Sequence, residues 1–240
     1  MAMTLSDLAW VASSHHRQLV GEVLAELGRD ARVTGVLLAG SLARGDALPG
    51  SDVDLVVLVA DGVPTEFRGE RREGILVERS DQNEAAAWEQ LAAQPMRVYT
   101  YLDGRILRDD TGGLLRLAAR ARALYAAYRT PPKERADITY WLHSARDKIQ
   151  AALAAGELLR AAYWTSTTSW KLLEGLWAAH DRPMPPGGSV WAHLDDLSGV
   201  TPELARRLHD LFLGEAAARS AAMVTLIDAT LLLLKTGNPT

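Results

Sequence analysis

Arg32–Ala60 has the sequence RVTGVLLAGSLARGDALPGSDVDLVVLVA, and this stretch decides the fold of the first half of the chain. Arg32–Ala39 and Asp52–Ala60 are short, apolar and rich in β-branched residues, with turn-forming glycine or proline residues on both sides. The pattern predicts two β-strands joined by a turn and a short helix around Leu42–Ala47.

A Gly-Ser pair stands where the first predicted strand ends. Gly40 lets the backbone come close to a phosphate group, because it has no side chain. The start of the helix that follows offers unpaired N–H groups to an anion, and Ser41 adds a hydroxyl donor. We therefore expect Gly40 and Ser41 to bind the phosphates of a ligand.

Two acids follow ten residues later, at alternate positions of the second predicted strand. Asp52 and Asp54 therefore point to the same face, while Val53, Leu55 and Val57 face a core. Two carboxylates so close together repel each other unless a cation lies between them. Hard oxygen ligands of this kind suit Mg²⁺, with triphosphate oxygens completing its coordination shell.

The segment GSLARGD…SDVDL resembles the signature of the nucleotidyltransferase superfamily, a Gly-Ser pair followed by two acids that flank an apolar residue. The resemblance implies an α+β fold with a small mixed sheet flanked by helices. It also implies that Asp52 and Asp54 bind Mg²⁺, and that a nucleoside triphosphate, with ATP the expected donor, is attacked at its α-phosphorus.

Members of this superfamily usually have a third carboxylate on a later strand. Gly74–Arg79 (GILVER) is predicted to be a strand whose apolar run leads up to Glu78. Glu78 is then a metal ligand or the general base that takes the proton of the acceptor hydroxyl. The alternative is an ordinary exposed glutamate at a strand end.

The remaining elements follow from hydrophobic periodicity. A first helix is expected over residues 5–28, a fourth strand over Met96–Leu102, and a helix over Asn83–Ala93. After Gly113 no strand is predicted, and helices are expected over Leu114–Tyr128, Glu134–Ala154, Leu158–His180 and, as one helix or a pair, Pro202–Lys235. We predict a nucleotidyltransferase domain over residues 1–112 and an all-α helical bundle, the acceptor-binding domain, over residues 113–240.

The layout of the chain is similar to that of the kanamycin nucleotidyltransferase type of aminoglycoside-modifying enzyme. By this resemblance the helix Glu134–Ala154, whose predicted apolar face includes Trp141, supplies Lys148 to the triphosphate. That type has a glutamate base one turn before the lysine, where this chain has Ser144. The base is therefore expected to be Glu78 or a metal-bound hydroxyl.

Arg44 lies in the first turn of the helix after the Gly-Ser pair. It is expected either to contact the triphosphate or to form a salt bridge with Asp46. Both interpretations stay open at this point.

Charge and composition limit the possible partners. The net charge is −4, and residues 1–112 carry 11 Lys/Arg against 18 Asp/Glu, which suits a divalent cation and argues against nucleic acid. No signal peptide and no membrane span is predicted, and the chain has no cysteine, which fits a cytoplasmic protein. The resemblance adds a homodimer as a further expectation.

Three functional hypotheses follow. The first is an enzyme that transfers AMP to a hydroxyl of a small molecule, with aminoglycosides, and hence antibiotic resistance, as the suggested case. The second is a nucleotidyltransferase of a toxin–antitoxin system that adenylylates a partner protein. The third is an inactive nucleotide-binding module, against which the intact Gly40, Ser41, Asp52 and Asp54 argue.

Overall fold

The computed structural model describes residues 8–197 and 201–236. One compact unit comprises the described part of Met1–Ala127 together with Pro185–Ser189, and a second comprises Tyr128–Met184 and the described part of Val190–Thr240. A mixed sheet with helices is followed along the chain by a helical region, which confirms the predicted α+β class.

The first unit begins with helix α1, Ser14–Leu27. The predicted helix started at Leu5, which lies outside the described residues, and residues 8–13 are not α-helical. The helix begins at Ser14 because the hydroxyl of Ser13 accepts a hydrogen bond from the backbone N–H of His16 (3.3 Å), as an N-cap does.

Five strands form one sheet in the order β3-β4-β2-β1-β5. They comprise β1 (Val33–Ala39), β2 (Val53–Val59), β3 (Glu66–Arg72), β4 (Ile75–Gln82) and β5 (Arg105–Asp109). Strands β2 and β4 are parallel, and the other neighbouring pairs are antiparallel.

The register of the strands sets two rows of side chains on one face of the sheet. The first contains Ala39, Asp54, Glu78 and Gly69, each paired with the next. We call it the triad row, because Asp54 and Glu78 are two of the three acids predicted to form the site. The adjacent second row contains Leu37, Val56, Ser80 and Phe67. Because register partners share a face, Asp54 and Glu78 point the same way from neighbouring strands.

The sequence did not predict the two edge strands. Strand β3 is exposed along its length, and only Leu107 of β5 is buried, so neither shows the apolar run of a central strand. Charged side chains are typical of sheet edges, where they hinder pairing with other chains. The hairpin β3–β4 turns at Glu73 and Gly74, both with positive φ (50° and 84°), as in a two-residue type I′ turn.

The strand predicted over Met96–Leu102 is wrong. Pro95–Arg97 is a 3-10 helix, and Val98–Leu102 is helix α4. The valine and tyrosines of this stretch are instead buried under the sheet face, where Val98, Tyr99 and Tyr101 pack in a core cluster. Tertiary packing outweighed the local β propensity here.

Helices cover both faces of the sheet. Helix α2 (Gly40–Arg44) follows β1 directly. Helix α1 covers the other face of the sheet, opposite the triad row, where it packs against Val53 and Val57. Helices α3 (Glu84–Ala93), α4 and α5 (Gly113–Ala127) pack against Leu37, Val56 and Leu58. The boundary predicted between residues 112 and 113 stays a prediction; α5 packs within the first unit.

The second unit contains the helices α6 (Pro132–Ala154), α7 (Leu158–Ala179), α8 (Pro202–Leu213) and α9 (Ala216–Thr236). They share one hydrophobic core. The predicted apolar face of α6 is buried at Ile138, Leu142 and Ile149, but Trp141 is exposed, which corrects its assignment to that face.

Helix α9 has the length and apolar composition of a membrane span, with 21 residues and a mean hydropathy of 1.6. No span was predicted from the sequence. The buried residues of α9, which include Met223, Ile227 and Leu231, pack in the core of the second unit. This packing covers 44% of the apolar window of the helix.

Candidate active site

Gly40 makes the turn from β1 into α2 in a conformation that favours glycine. Its φ is +67°, and a Cβ atom there would lie 2.0 Å from Oδ2 of Asp54. The sequence suggested that this glycine makes room for a phosphate. In the structure the close neighbour is the Asp54 carboxylate, so Gly40 is required for that carboxylate to occupy its position.

Asp52, Asp54 and Glu78 come together as a triad on the sheet. Asp52 precedes β2, Asp54 lies within it, and Glu78 is the register partner of Asp54 on β4. One carboxylate oxygen from each lies within 4.8 Å of the others, and all three residues are partly buried. The sequence suggested that Glu78 lies at the end of a strand. In the structure Glu78 lies inside β4, because the strand continues to Gln82.

The triad can hold a divalent metal ion. Three carboxylates that converge from two neighbouring strands form the hard oxygen donor set that such a cation prefers. The electrostatics of Asp54 agree with this fit. Burial, followed by the negative charges of Asp52 and Glu78, raises the pKa of Asp54 to about 6, and the nearby Arg44 reduces this rise.

Arg44 lies beside the triad and joins three parts of the first unit. Its Nε donates to Oδ2 of Asp46 (3.2 Å), which confirms the salt bridge that the sequence left as one of two possibilities. Its Nη1 donates to Oγ of Ser189 (2.9 Å), and its Nη2 donates to the carbonyl oxygen of Gly188 (2.9 Å). Nη1 also lies 3.6 Å from Oδ2 of Asp103. Contact with a triphosphate stays a prediction.

A cavity of about 420 Å³ opens over the triad. Its walls include the predicted Gly40, Ser41, Arg44, Asp52, Asp54 and Glu78. They also include residues that the sequence did not single out, namely Phe67, Ser80, Arg97, Tyr99, Thr100, Asp103, Pro186, Gly188 and Ser189. The last three come from a loop far along the chain, which no local pattern could have assigned to this cavity.

His16 supports the segment that carries Asp52. Its ring is buried, and Nε2 donates to the carbonyl oxygen of Ser51 (2.8 Å), the residue before Asp52. Because a carbonyl can only accept, this bond requires the tautomer protonated at Nε2. Sequence patterns assigned no role to His16, since its partner lies 35 residues away.

Lys148 lies in the second unit, on α6. Its Nζ is 4.2 Å from the ring centroid of Trp164, which is a cation–π contact. Ser144, one turn earlier, is partly buried. The assignment of Lys148 to a triphosphate stays a prediction.

A match to a protein family agrees with this geometry. Residues 18–107 match the family model described as a nucleotidyltransferase domain. Comparison with curated proteins found no match. Among solved structures, the chain is similar to a nucleotidyltransferase-like protein from Exiguobacterium sibiricum 255-15, with 16% identity and a TM-score of 0.44 over 90% of this chain and 74% of that one.

Residues 18–107, which match the model of a nucleotidyltransferase domain, therefore carry an acidic triad able to bind a metal ion. The family match supports transferase activity in general. The resemblance to the kanamycin type stays a prediction.

Replacing Gly40 by alanine should displace Asp54. The matched control is Gly62→Ala, since Gly62 also has a positive φ (84°) but has no described atom within 4 Å of an added Cβ. Both variants carry the backbone cost, of the order of 1 kcal/mol. Only Gly40→Ala should also abolish the rise in melting temperature that Mg²⁺ produces. Equal Mg²⁺ responses in the two variants would show that the contact with Asp54 is unimportant.

Replacing Asp54 by asparagine should stabilise the metal-free protein above pH 6. The raised pKa means that native Asp54 holds a proton that the unfolded chain has lost, so the stability of the wild type falls as pH rises from about 4 to about 6. The neutral amide of the variant has no such cost, and we expect a gain of about 1–2 kcal/mol at pH 7.5 and little at pH 4, after allowance for partial solvation.

Urea unfolding in the presence of EDTA measures this difference. A gain of equal size at both pH values would refute the explanation by the raised pKa of Asp54. Added Mg²⁺ should stabilise the wild type and leave Asp54→Asn unchanged, so the order of stability is expected to reverse at high Mg²⁺ concentration.

Arg44→Lys should release the segment Pro185–Ser189. Lysine keeps the charge but has no planar fork with which to reach Ser189, Gly188 and Asp46 together. Amide hydrogen exchange in residues 187–189 should accelerate about tenfold or more. Arg32→Lys, at an exposed pair with Asp30, is the control. Unchanged exchange in Arg44→Lys would mean that other contacts hold the segment.

Proposed function

We propose that the protein is a Mg²⁺-dependent nucleotidyltransferase that moves a nucleoside monophosphate, AMP from ATP, to a hydroxyl group of a small molecule and releases pyrophosphate. The observation that carries the proposal is the convergence of Asp52, Asp54 and Glu78 beside Gly40 and Ser41 in one cavity. The family match of the domain supports the class of reaction.

Asp52 and Asp54 would hold the metal ion, with Glu78 as a third ligand or as the base. Bound Mg²⁺ would neutralise charge that develops on the phosphate oxygens during transfer. The oxygen of the acceptor hydroxyl forms a bond to the α-phosphorus. The bond from that phosphorus to the oxygen bridging the β-phosphate breaks, and pyrophosphate leaves with the electron pair. If Glu78 is the base, the proton of the hydroxyl goes to its carboxylate.

Ser41 and Arg44 lie on the side of the cavity next to β1, where they can hold the pyrophosphate part of the donor. Ser41 contributes a hydroxyl donor. Arg44 uses three of its five N–H groups in the described hydrogen bonds, and Nη1 also faces Asp103, so the second N–H of Nη2 is the one left for a phosphate oxygen. We propose Lys148 as a further ligand of the triphosphate, on the resemblance alone.

Aminoglycosides are the acceptors that the resemblance suggests, and antibiotic resistance would be the biological outcome. A side chain of a partner protein is the alternative acceptor. Mass spectrometry after incubation with ATP and Mg²⁺ separates these cases. A gain of AMP on a drug from a panel of antibiotics supports the first, and a gain on a co-purified protein supports the second.

Asp52→Asn and Glu78→Gln should each lower AMP transfer. We expect a loss of about 10³-fold or more for Asp52→Asn, because a metal ligand is removed, and about 10²–10⁴-fold for Glu78→Gln. Glu89→Gln, an exposed acid on α3, is the matched control and should keep full activity. Transfer that persists in Asp52→Asn would refute the metal site, and full activity of Glu78→Gln would refute the base.

A further inference from the structure

One end of the cavity has a different chemistry from the triad. Phe67 on the edge strand β3 pairs with Ser80 on β4, and both line the cavity in the second row of the sheet. The Phe67 side chain is on the same face as Glu78, and the residue is 66% exposed. An aromatic ring this exposed at a cavity wall offers a flat apolar surface to a ligand.

Arg97 brings a positive charge to the same cavity. It belongs to the 3-10 helix that precedes α4. In the described part of the chain its guanidinium makes one hydrogen bond, from Nε to Oε1 of Gln94 (3.2 Å). The terminal nitrogens are therefore available to an anionic group of a ligand.

The order of the strands assigns this end to the acceptor. Phosphoryl transfer places the attacking and leaving oxygens roughly in line on opposite sides of the phosphorus. The leaving pyrophosphate lies next to β1, with Ser41 and Arg44, in the proposed reaction. The hydroxyl must then arrive from the opposite side, where β4 carries Glu78 and β3 lies at the sheet edge.

Gly69 keeps that approach open. It is the register partner of Glu78, so a side chain at position 69 would stand beside the carboxylate. A Cβ there would meet, among the described residues, only Cδ1 of Leu76 at 3.8 Å, an ordinary contact. The backbone at Gly69 therefore does not require glycine, and its effect is to leave space next to the base.

We propose that Phe67, Ser80 and Arg97 form the acceptor subsite, and that it takes a hydroxyl compound with a flat or apolar ring and an anionic group. The ring packs on Phe67, the anion pairs with Arg97, and Ser80 donates or accepts a hydrogen bond. This inference rests on the proposed function, since it uses the positions of donor and base. It favours acceptors unlike the polycationic aminoglycosides.

Three matched probes test the chemistry: 4-(hydroxymethyl)benzoate, benzyl alcohol and 4-(aminomethyl)benzyl alcohol. They share a ring and a hydroxyl and differ in charge. Each is titrated by saturation-transfer NMR against protein saturated with Mg²⁺ and α,β-methylene-ATP, which cannot transfer AMP. We expect the anionic probe to bind about tenfold more tightly than the cationic one, with the neutral probe between them.

Variants assign the preference to residues. Arg97→Gln should bring the three dissociation constants within about threefold of one another, and Phe67→Ala should weaken all three about tenfold. Gly69→Leu should weaken the probes and leave the ATP analogue bound. Arg68→Gln is the control, because it also changes a residue of β3 and also removes one positive charge. Arg68 is exposed and points to the opposite face of the strand, so this variant should leave the binding of the probes unchanged.

The outcomes separate this inference from the proposed function. If the ATP analogue binds but the probes do not bind, or bind without a charge preference that depends on Arg97, the acceptor subsite is refuted and the nucleotidyltransferase remains. If the cationic probe binds best, the subsite is refuted in the same way. If the analogue does not bind in the presence of Mg²⁺, the proposed function fails and this inference fails with it.

Discussion

Repulsion between three carboxylates is the constraint on which the first unit depends. Asp52, Asp54 and Glu78 lie within one cavity, partly withdrawn from water, so each negative charge raises the free energy of its neighbours. The sheet overcomes this cost through the opposite face of β2, where Val53 and Val57 are fully buried. The alternation of acid and valine along one strand therefore combines an unfavourable site with the packing that holds it in place.

The sequence predicted the centre of the fold because both signals there are local. The alternation in Asp52–Ala60 fixes which side chains share a face, and the apolar run before Glu78 marks a second buried strand. The pairing of Asp54 with Glu78 followed from the family resemblance and not from periodicity. At the sheet edges the same reasoning failed, because β3 and β5 carry charged residues where a central strand has buried apolar ones. It also failed at Met96–Leu102, where residues typical of strands pack as a helix.

The rest of the cavity depends on contacts between distant residues, which one sequence does not reveal. Ser189 reaches Arg44 across 145 positions, and His16 reaches Ser51 across 35. Phe67 and Arg97 are each ordinary on their own, an exposed ring on a charged strand and an arginine in a short turn. The strand register places Phe67 at the cavity, and the 3-10 helix Pro95–Arg97 places Arg97 there. They add an aromatic ring and a positive charge to a cavity that also contains the acidic triad.

The position of Pro185–Ser189 has a consequence for how the protein is made. This segment closes one wall of the cavity, yet it follows α5 by more than fifty residues, well beyond the stretch 18–107 that matches the family model. A ribosome has therefore synthesised the whole sheet and its acids before it adds Gly188 and Ser189, which Arg44 binds. During that interval Arg44 has Asp46 within reach but has not yet met Gly188 and Ser189. The cavity therefore gains its last wall only after the sheet and its acids have been synthesised.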